Sequence, residues 1–280
     1  MIYVIKFDGS RQPFEKTKVV RTCVNLGLSQ SEAKQIADKV ESELYDGIST
    51  KKILQLIFNY VKEYKPEIAH IIDLRDAISL LRPKPDFELF VQMLLREIGY
   101  DVIPNQIVRG ACIEHEVDAI AKKNGKNIFV EIKHHIQPHT YTGVDVCLET
   151  QARLEDLKEG YKMGKTEINF DHALIVCNTK FSEHAKQYAA YKKIELLGWR
   201  CPENRGIEKI IEEKKFYPIT LIKESEVFDG IVRGRLVDSG IILLKQLVKA
   251  DLNELAKKTK IGIGRLEKIV HTAKEILGTS

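Results

Sequence analysis

Asp118 lies thirteen residues before Glu131, and Lys133 follows two positions later. Two carboxylates and an ammonium gathered at one spot are the equipment for holding a hard divalent cation and hydrolysing a phosphodiester. The cation would lower the pKa of a bound water, and the lysine would add a mobile donor and a point charge. Between these residues stands Asn124-Gly125, the preferred centre of a two-residue hairpin, because both positions accept positive φ. Residues 117–121 and 128–133 then read as neighbouring strands. Side chains alternate along a strand, so Glu131 and Lys133 share one face while Ile132 takes the other. Pairing across the hairpin would set Asp118 beside Glu131. The same spacing also fits an edge strand carrying two solvated charges, with Asp118 an unrelated turn-side acid.

A helix must precede this hairpin. Apolar residues at 87, 90, 91, 94, 95 and 98 follow helical spacing, with Asp86 as N-cap and Gly99 as stop. Glu88 is the acid at its start. Residues 172–178 form a short apolar run that reads as a buried strand, and Ser182 caps a helix from there to about residue 189. On the run 87–102, on His115-Glu116-Val117-Asp118, on Glu131-Ile132-Lys133 and on the strand–helix unit 172–189, the sequence resembles the PD-(D/E)xK nuclease superfamily in its Mrr-like restriction endonuclease branch. The resemblance implies an α/β core, a mixed central sheet flanked by helices. It implies that Asp118 and Glu131 bind Mg²⁺ or Mn²⁺, that Glu88 assists them, and that Lys133 positions or activates the attacking water. Gln151 falls where some members carry a helix Gln near the metal. His115, His134, His135 and His139 flank the motif. Each reads either as a contact to DNA or metal or, more simply, as a polar residue at a strand end. Zinc is disfavoured, since no cysteine cluster accompanies them and carboxylates suit harder cations.

The first eighty residues read as a separate unit. Residues 3–7 suggest a strand and Asp8-Gly9 a turn. Helices are expected from about 15 to 26, from Ser31-Glu32 with Ile36, Val40 and Leu44 on one face, from Ser49 or Thr50, and from about 66 to 81, where Arg82-Pro83-Lys84-Pro85 stops the last and forms a linker. The stretches 4–9, 14–18 and 45–53 resemble an ATP-cone. That likeness implies nucleotide contacts at Val4, Lys6, Lys18 and Thr50, and phosphate contact near Arg82 or Lys84. Phe7 and Gln12 depart from the family pattern. No GxxxxGK[ST] motif is present, so a bound ATP or dATP would regulate and not be hydrolysed. At the other end, residues 241–280 carry eight Lys/Arg against four acids. The run 259–266 resembles the hairpin of a helix-hairpin-helix, which implies DNA phosphate contact at Lys260, Gly262, Gly264 and Arg265. A plain helical cap or dimerisation element fits the same residues.

A length of 280 residues, 44% of them hydrophobic, suffices for two or three small domains, placed at 1–84, 85–222 and 223–280. No run of eighteen apolar residues and no signal-like start are present, and five cysteines without a CxxC pair suit reduced thiols, so a cytoplasmic setting is expected. A net charge of +4 permits nucleic-acid binding without requiring it. The leading expectation is a Mg²⁺-dependent DNA endonuclease controlled by ATP or dATP, with RNA left open as substrate. A homodimer would serve double-strand cutting, since each such site hydrolyses one strand. The alternatives are a catalytically silent nucleic-acid-binding sensor on the same fold and a regulator of deoxynucleotide synthesis acting through the cone alone.

Overall fold

The computed structural model describes residues 2–6, 9–26, 28–64 and 74–279. It divides into two compact units, 1–74 and 75–280. In the first, β1 (Tyr3–Ile5) is the centre of a three-stranded sheet, antiparallel to β2 (Arg11–Pro13) and parallel to β3 (Ile48–Ser49). Three helices cover it, α1 (Lys16–Asn25), α2 (Gln30–Ser42) and α3 (Thr50–Tyr64). Their apolar stripes, Val19 and Cys23, then Ile36 and Val40, then Ile53, Ile57 and Val61, meet Val4 and Ile48 in one core.

Helix α2 begins earlier than Ser31 suggests. Ser29 is its N-cap, its hydroxyl taking the Glu32 N–H (3.3 Å) while the Glu32 carboxylate takes the Ser29 N–H (2.7 Å), a reciprocal capping box. Ser49, not Thr50, caps α3 by accepting the Lys52 N–H. The strands β2 and β3 are too short to leave an alternation signal. Phe7 and Asp8, and the stretch 65–73 of the expected fourth helix, lie outside the described residues; residues 74–79 are helical (α4).

The second unit is built on a five-stranded sheet in the order β10-β8-β6-β5-β4. β4 (Asp101–Arg109), β5 (Glu114–Lys123) and β6 (Lys126–Lys133) form an antiparallel meander, and β6, β8 (His172–Cys177) and β10 (Glu195–Leu197) run parallel. The β5–β6 turn is Asn124-Gly125 with φ of 52° and 74°, the left-handed pair a tight hairpin needs. Helix α5 (Glu88–Glu97) packs on β4 and β5, and α6 (Val144–Lys162) and α7 (Glu183–Lys192) pack on each other, α6 also on β4 and β8. Between them Phe129, Leu154, Leu157, Phe170, Ile175 and Phe181 form the core. A two-stranded ribbon, β7 (Tyr141–Thr142) with β9 (Lys180–Phe181), lies beyond β8. The sheet flanked by helices is the mixed α/β core that the sequence implies.

Asp86 does not cap α5. It sits in the wide turn before the helix, where its carboxylate grips the Arg82 guanidinium twice, both at 2.8 Å. Gly99 does end the helix, at φ 89°. Ser182 caps α7 through the Ala185 N–H. Residues 219–221 are a single tight helical turn. After α8 (Ile207–Glu213) come α9 (Gly230–Asp238), α10 (Leu244–Lys249), α11 (Leu252–Thr259) and α12 (Ile263–Leu277). They belong to the second compact unit, tied in by Phe216 edge-on to Phe90 and by the Thr220 hydroxyl on the Ala77 carbonyl. All five cysteines are free. Among the described residues no helix is long and apolar enough to cross a membrane.

Helix α6 sets the geometry of the sheet's open end, and it does so by close approach. Gly160 lies against the β4–β5 turn, where an added Cβ would stand 2.6 Å from the Gly110 carbonyl carbon and 2.9 Å from the Ala111 nitrogen. Alanine is the better helix former by about 1 kcal/mol, but these neighbours are backbone and cannot swing away. Overpacking of this kind costs about 1–3 kcal/mol. Gly160→Ala is therefore expected to lower the thermal or urea midpoint of the second unit; an unchanged or raised midpoint would show that α6 can slide without loss.

Candidate active site

Asp118 occupies a break in the sheet. The β4–β5 ladder pairs Pro104 with Ala119 and Gln106 with Val117, skipping Asn105, whose φ is 45°. Gln92 of α5 fills the gap, its amide donating to the Asp118 carbonyl (2.9 Å) and to Asn105 Oδ1 (3.1 Å). On the other side the β5–β6 ladder ends at Ala119 opposite Val130. There the Asp118 carboxylate takes over, Oδ2 accepting the Ile132 N–H at 2.8 Å. A strand irregularity has thus turned one acid into a replacement for a ladder partner.

Glu131 and Lys133 share the face of Phe129, as alternation requires. Lys133 Nζ lies 3.0 Å from Glu131 Oε1, and the guanidinium of Arg153 on α6 binds Glu131 Oε2 and the Glu116 carbonyl while stacking over the Phe129 ring at 5.0 Å. Glu88, at the start of α5, is reached by Lys84 Nζ at 3.1 Å. That ammonium also touches Glu116 at 2.9 Å and approaches Asp118 to 3.8 Å. Glu88, Asp118 and Glu131 are 6%, 8% and 4% exposed. Three acids are therefore buried together, with three cations, Lys84, Lys133 and Arg153, on their oxygens.

The electrostatics follow. Burial, then the charges of Glu131 and Glu88, push the Asp118 carboxyl up to about 6, against the pull of the Ile132 N–H and Lys84. Burial works most strongly against the Lys133 charge, but its hydrogen bond to Glu131 together with the charges of Glu131, Glu149 and Asp118 outweighs this and raises its pKa. The hydrogen bond to Glu116, joined by the one to Glu88 and by the charge of Asp118, raises Lys84. Among the described residues no group of three or more His, Cys, Asp or Glu side chains is placed to hold a metal ion by itself. The donor set still fits a hard cation. Mg²⁺ is commonly held by one or two carboxylates with waters and substrate phosphates completing its shell, and Asp118, raised first by burial and then by the charges of Glu131 and Glu88, is a carboxylate that a bound cation would stabilise.

The expected histidines are engaged elsewhere. His115 Nε2 is 2.8 Å from Asp156, His134 bonds the Ile78 carbonyl, His135 bonds Thr142, and His139 bonds Arg75. Gln151 turns to Glu155. Arg82 and Lys84 lie in the second unit, ion-paired to Asp86 and Asp238 and to the acid cluster respectively. In the first unit Val4 is buried opposite Ile48, and the β1/β3 register brings Lys6 and Thr50 to the same end of that strand pair. Lys18 is exposed on α1 and paired with Glu15. In the tail Gly262 is the N-cap of α12, and nothing stands within 4 Å of a Cβ at Gly262 or Gly264. Arg265 is turned inward, its guanidinium on Asp229 and on the carbonyls of Glu226 and Val227. Sequence reasoning misses Arg153 and Asp156; a lone Arg within a charged helix carries no signal of what it will face.

Comparison with known proteins agrees with this geometry. Residues 82–199 match the restriction endonuclease family model of the Mrr catalytic type, and residues 2–76 match the ATP cone domain. An uncharacterized protein of Archaeoglobus fulgidus is 34% identical over 186 residues, covering 66% of this chain and 98% of its own length. The chain belongs to the Mrr-type restriction endonuclease family. This endonuclease-family match follows the stretch that matches the ATP cone. A transcriptional repressor NrdR of Sulfurihydrogenibium is 30% identical over 106 residues, 35% of this chain and 68% of that protein. The crystal structure of a protein of unknown function matches with a TM-score of 0.57 and 35% identity, over 69% of this chain and 97% of its own.

The raised Asp118 has a measurable consequence in the metal-free protein. A carboxyl whose folded pKa exceeds its unfolded value contributes stability that is full below the ordinary value of 3.8 and is lost as pH rises through about 6. Asp118→Asn keeps an acceptor for the Ile132 N–H and removes the charge. It should stabilise the protein at pH 8 by about 1–3 kcal/mol, with the gain shrinking to nothing below about pH 4. Melting curves of both proteins across pH test this, and a gain that does not vary with pH would sink it.

Proposed function

We propose that this chain is a Mg²⁺- or Mn²⁺-dependent DNA endonuclease whose cutting is controlled by ATP or dATP bound, without hydrolysis, to its N-terminal domain. The observation that carries the reading is the convergence of buried Glu88, Asp118 and Glu131 with Lys133 at the broken end of the β5–β6 ladder. Asp118 and Glu131 would hold the metal, with Glu88 assisting. When bound, the metal would supply Lewis acidity and a water acidified toward neutral pH. Lys133, held over Glu131, would orient the attacking water and offset charge growing on the phosphate. Arg153 would keep Glu131 in place.

In this reading residues 1–84 form the sensing domain, 85–222 the cutting domain and 223–280 a grip on the duplex. Nucleotide would meet Lys6, Lys18 and Thr50 beside Val4, with Thr50 offering its hydroxyl at a helix start. Given their ion pairs, Arg82 and Lys84 are left out of that set. The open backbone at Gly262 and Gly264, with Lys260, would meet DNA phosphate, while Arg265 braces the loop from within. Plasmid incubated with the protein and Mg²⁺ should be cut, and ATP should change the rate. Asp118→Ala, Glu131→Ala and Lys133→Ala should each reduce cutting by a factor on the order of 10² or more. An intact protein that never cuts, with variants indistinguishable from it, removes the enzymatic claim.

A catalytically silent sensor is the second reading, and the observation favouring it is that cations already sit on the acids. The two readings part at Lys84. In a metal enzyme that ammonium is a displaceable occupant, so Lys84→Met should tighten Mn²⁺ binding roughly tenfold, given a unit charge about 4 Å from a carboxylate. Titration followed by electron paramagnetic resonance measures it. No Mn²⁺ binding by either protein would favour the sensor.

A further inference from the structure

A second charged site lies beyond the C-terminal end of β8, apart from the acids and their cations. Arg75, Lys180 and Arg200 meet there around Trp199. The Arg75 guanidinium lies over the Trp199 ring at 5.4 Å, with Nη1 donating to His139 Nδ1 at 3.1 Å. Its Nε is buried and has no hydrogen-bond partner among the described residues. A buried guanidinium N–H without an acceptor is costly and asks for one. Lys180 opens β9, with the charges of Arg200, Arg75 and Lys186 against it and that of Glu208 in its favour.

The frame around these cations is rigid. Gly198 lets the turn 198–201 lie against residues 177–181, since a Cβ there would meet the Thr179 carbonyl at 2.7 Å. The Trp199 N–H donates to that same carbonyl, and the Arg200 N–H, at φ 55°, donates to the buried Glu208 carboxylate at 2.9 Å. Asn178 clamps the two neighbouring strand ends, bonding the N–H and the carbonyl of His135 at 2.8 Å each. Two acids act on the cluster, Asp76 on Arg75 and Glu208, whose carboxylate also takes the Arg200 N–H, on both Arg75 and Lys180, while Glu183 is paired with Lys186; three cations thus face two carboxylates.

The cations depress one another. Burial, then Arg200, lowers Arg75 to about 10; burial, then Arg200 and Arg75, lowers Lys180; burial, then Arg75 and Lys180, lowers His139 to about 4, so its imidazole is neutral and accepts from Arg75. A multiply charged anion with several acceptor oxygens relieves such a cluster, and guanidinium forks with an ammonium suit phosphate in particular. The place is also suggestive. β6 and β8 run parallel with Lys133 opposite Cys177, and Lys180 comes three residues later. Lys133 of the acid site and Lys180 of the basic cluster thus lie at the C-terminal ends of neighbouring parallel strands, the edge where ligands of such sheets bind.

We propose that Arg75, Lys180 and Arg200, backed by Trp199, form a phosphate-binding site separate from the acid cluster, which holds a backbone phosphate of the nucleic acid lying across that cluster. The phosphate chemistry stands on these residues alone; its assignment to nucleic acid rests on the nuclease reading. Trp199 is the single tryptophan of the chain, so its emission reports this site directly.

The test uses the full chain without divalent metal, so that no cutting intervenes. A labelled duplex oligonucleotide is bound at several salt concentrations, and Trp199 emission is followed during titration with unlabelled duplex and, separately, with inorganic phosphate. Lys180→Gln and Arg200→Gln should each weaken duplex binding several-fold and reduce the salt slope by about 0.9 for each phosphate no longer neutralised. Both should abolish the emission change, while Lys180→Arg should retain it. An emission response to inorganic phosphate alone, abolished in the same variants, would support the site and identify its ligand as a free phosphate. Wild-type affinity, salt slope and emission response in both Gln variants would overturn the proposal, as would an emission silent to both ligands. A protein that never cuts but passes this assay would sink the nuclease reading and leave the phosphate site standing.

Discussion

Three carboxylates buried within one cleft are tolerable only because cations are buried with them. Glu131 lies between Lys133 and Arg153, and Glu88 and Asp118 share Lys84. Stripped of these partners, each acid would be forced toward its neutral form. Asp118 shows how close that limit is, with its carboxyl already pushed up to about 6. The arrangement is an electrostatic compromise that leaves the acid side incompletely neutralised. With Glu116 also on Lys84, four carboxylates meet three cations, and a cation of higher valence is the natural way to make up that shortfall.

The compromise has to be held mechanically, and α6 holds it. Asp156 takes the N–H groups of Cys112 (2.8 Å) and Ile113 (3.4 Å) and the His115 ring, fixing the helix to the β4–β5 turn. Gly160 and Gly110 let the two backbones touch. One turn before Asp156, on the same side of the helix, Arg153 is thereby delivered to Glu131. A helix that stood even a side chain further out would leave Glu131 buried with Lys133 alone. Packing between two glycines and the charge state of the acid site are in this sense one constraint.

Much of this was legible in the sequence, and the legible parts share a physical origin. The hairpin is written in Asn124-Gly125, whose positive φ values few other pairs accept. The common face of Glu131 and Lys133 is written in strand alternation, and α5 in its apolar period. The unreadable parts depend on partners distant in sequence or on competition for them. Asp86 has the right type and place for an N-cap, but Arg82, four residues away, wins its carboxylate with two charged hydrogen bonds. The cone resemblance implies a phosphate contact near Arg82 or Lys84; in the structure Arg82 pairs with Asp86 and Asp238, and Lys84 with Glu88 and Glu116, partners that the sequence around them does not announce. Arg265 reads as reaching outward from a glycine hairpin, and Asp229 draws it inward. Helix α6 hides for another reason: one face of it carries the charges that serve the acid site, so its apolar period is weak.

The two charged regions of the second unit have opposite deficits. The acid cluster lacks positive charge, and the cluster at Arg75, Lys180 and Arg200 lacks negative charge, its buried guanidinium Nε without an acceptor among the described residues. Direct pairing between them would cancel both, but the parallel β6–β8 ladder and the Asn178 clamp hold them apart along one edge. Opposite charges kept from meeting by the fold are stabilised by a ligand that carries both signs in the right order. A phosphodiester strand with a bound divalent cation is such a ligand: the metal meets the acids, and a neighbouring phosphate meets the basic cluster. On the proposed reading, the binding energy of that phosphate is available to press the scissile group against Asp118, Glu131 and Lys133, which is where interaction energy lowers a barrier and does not merely tighten a complex.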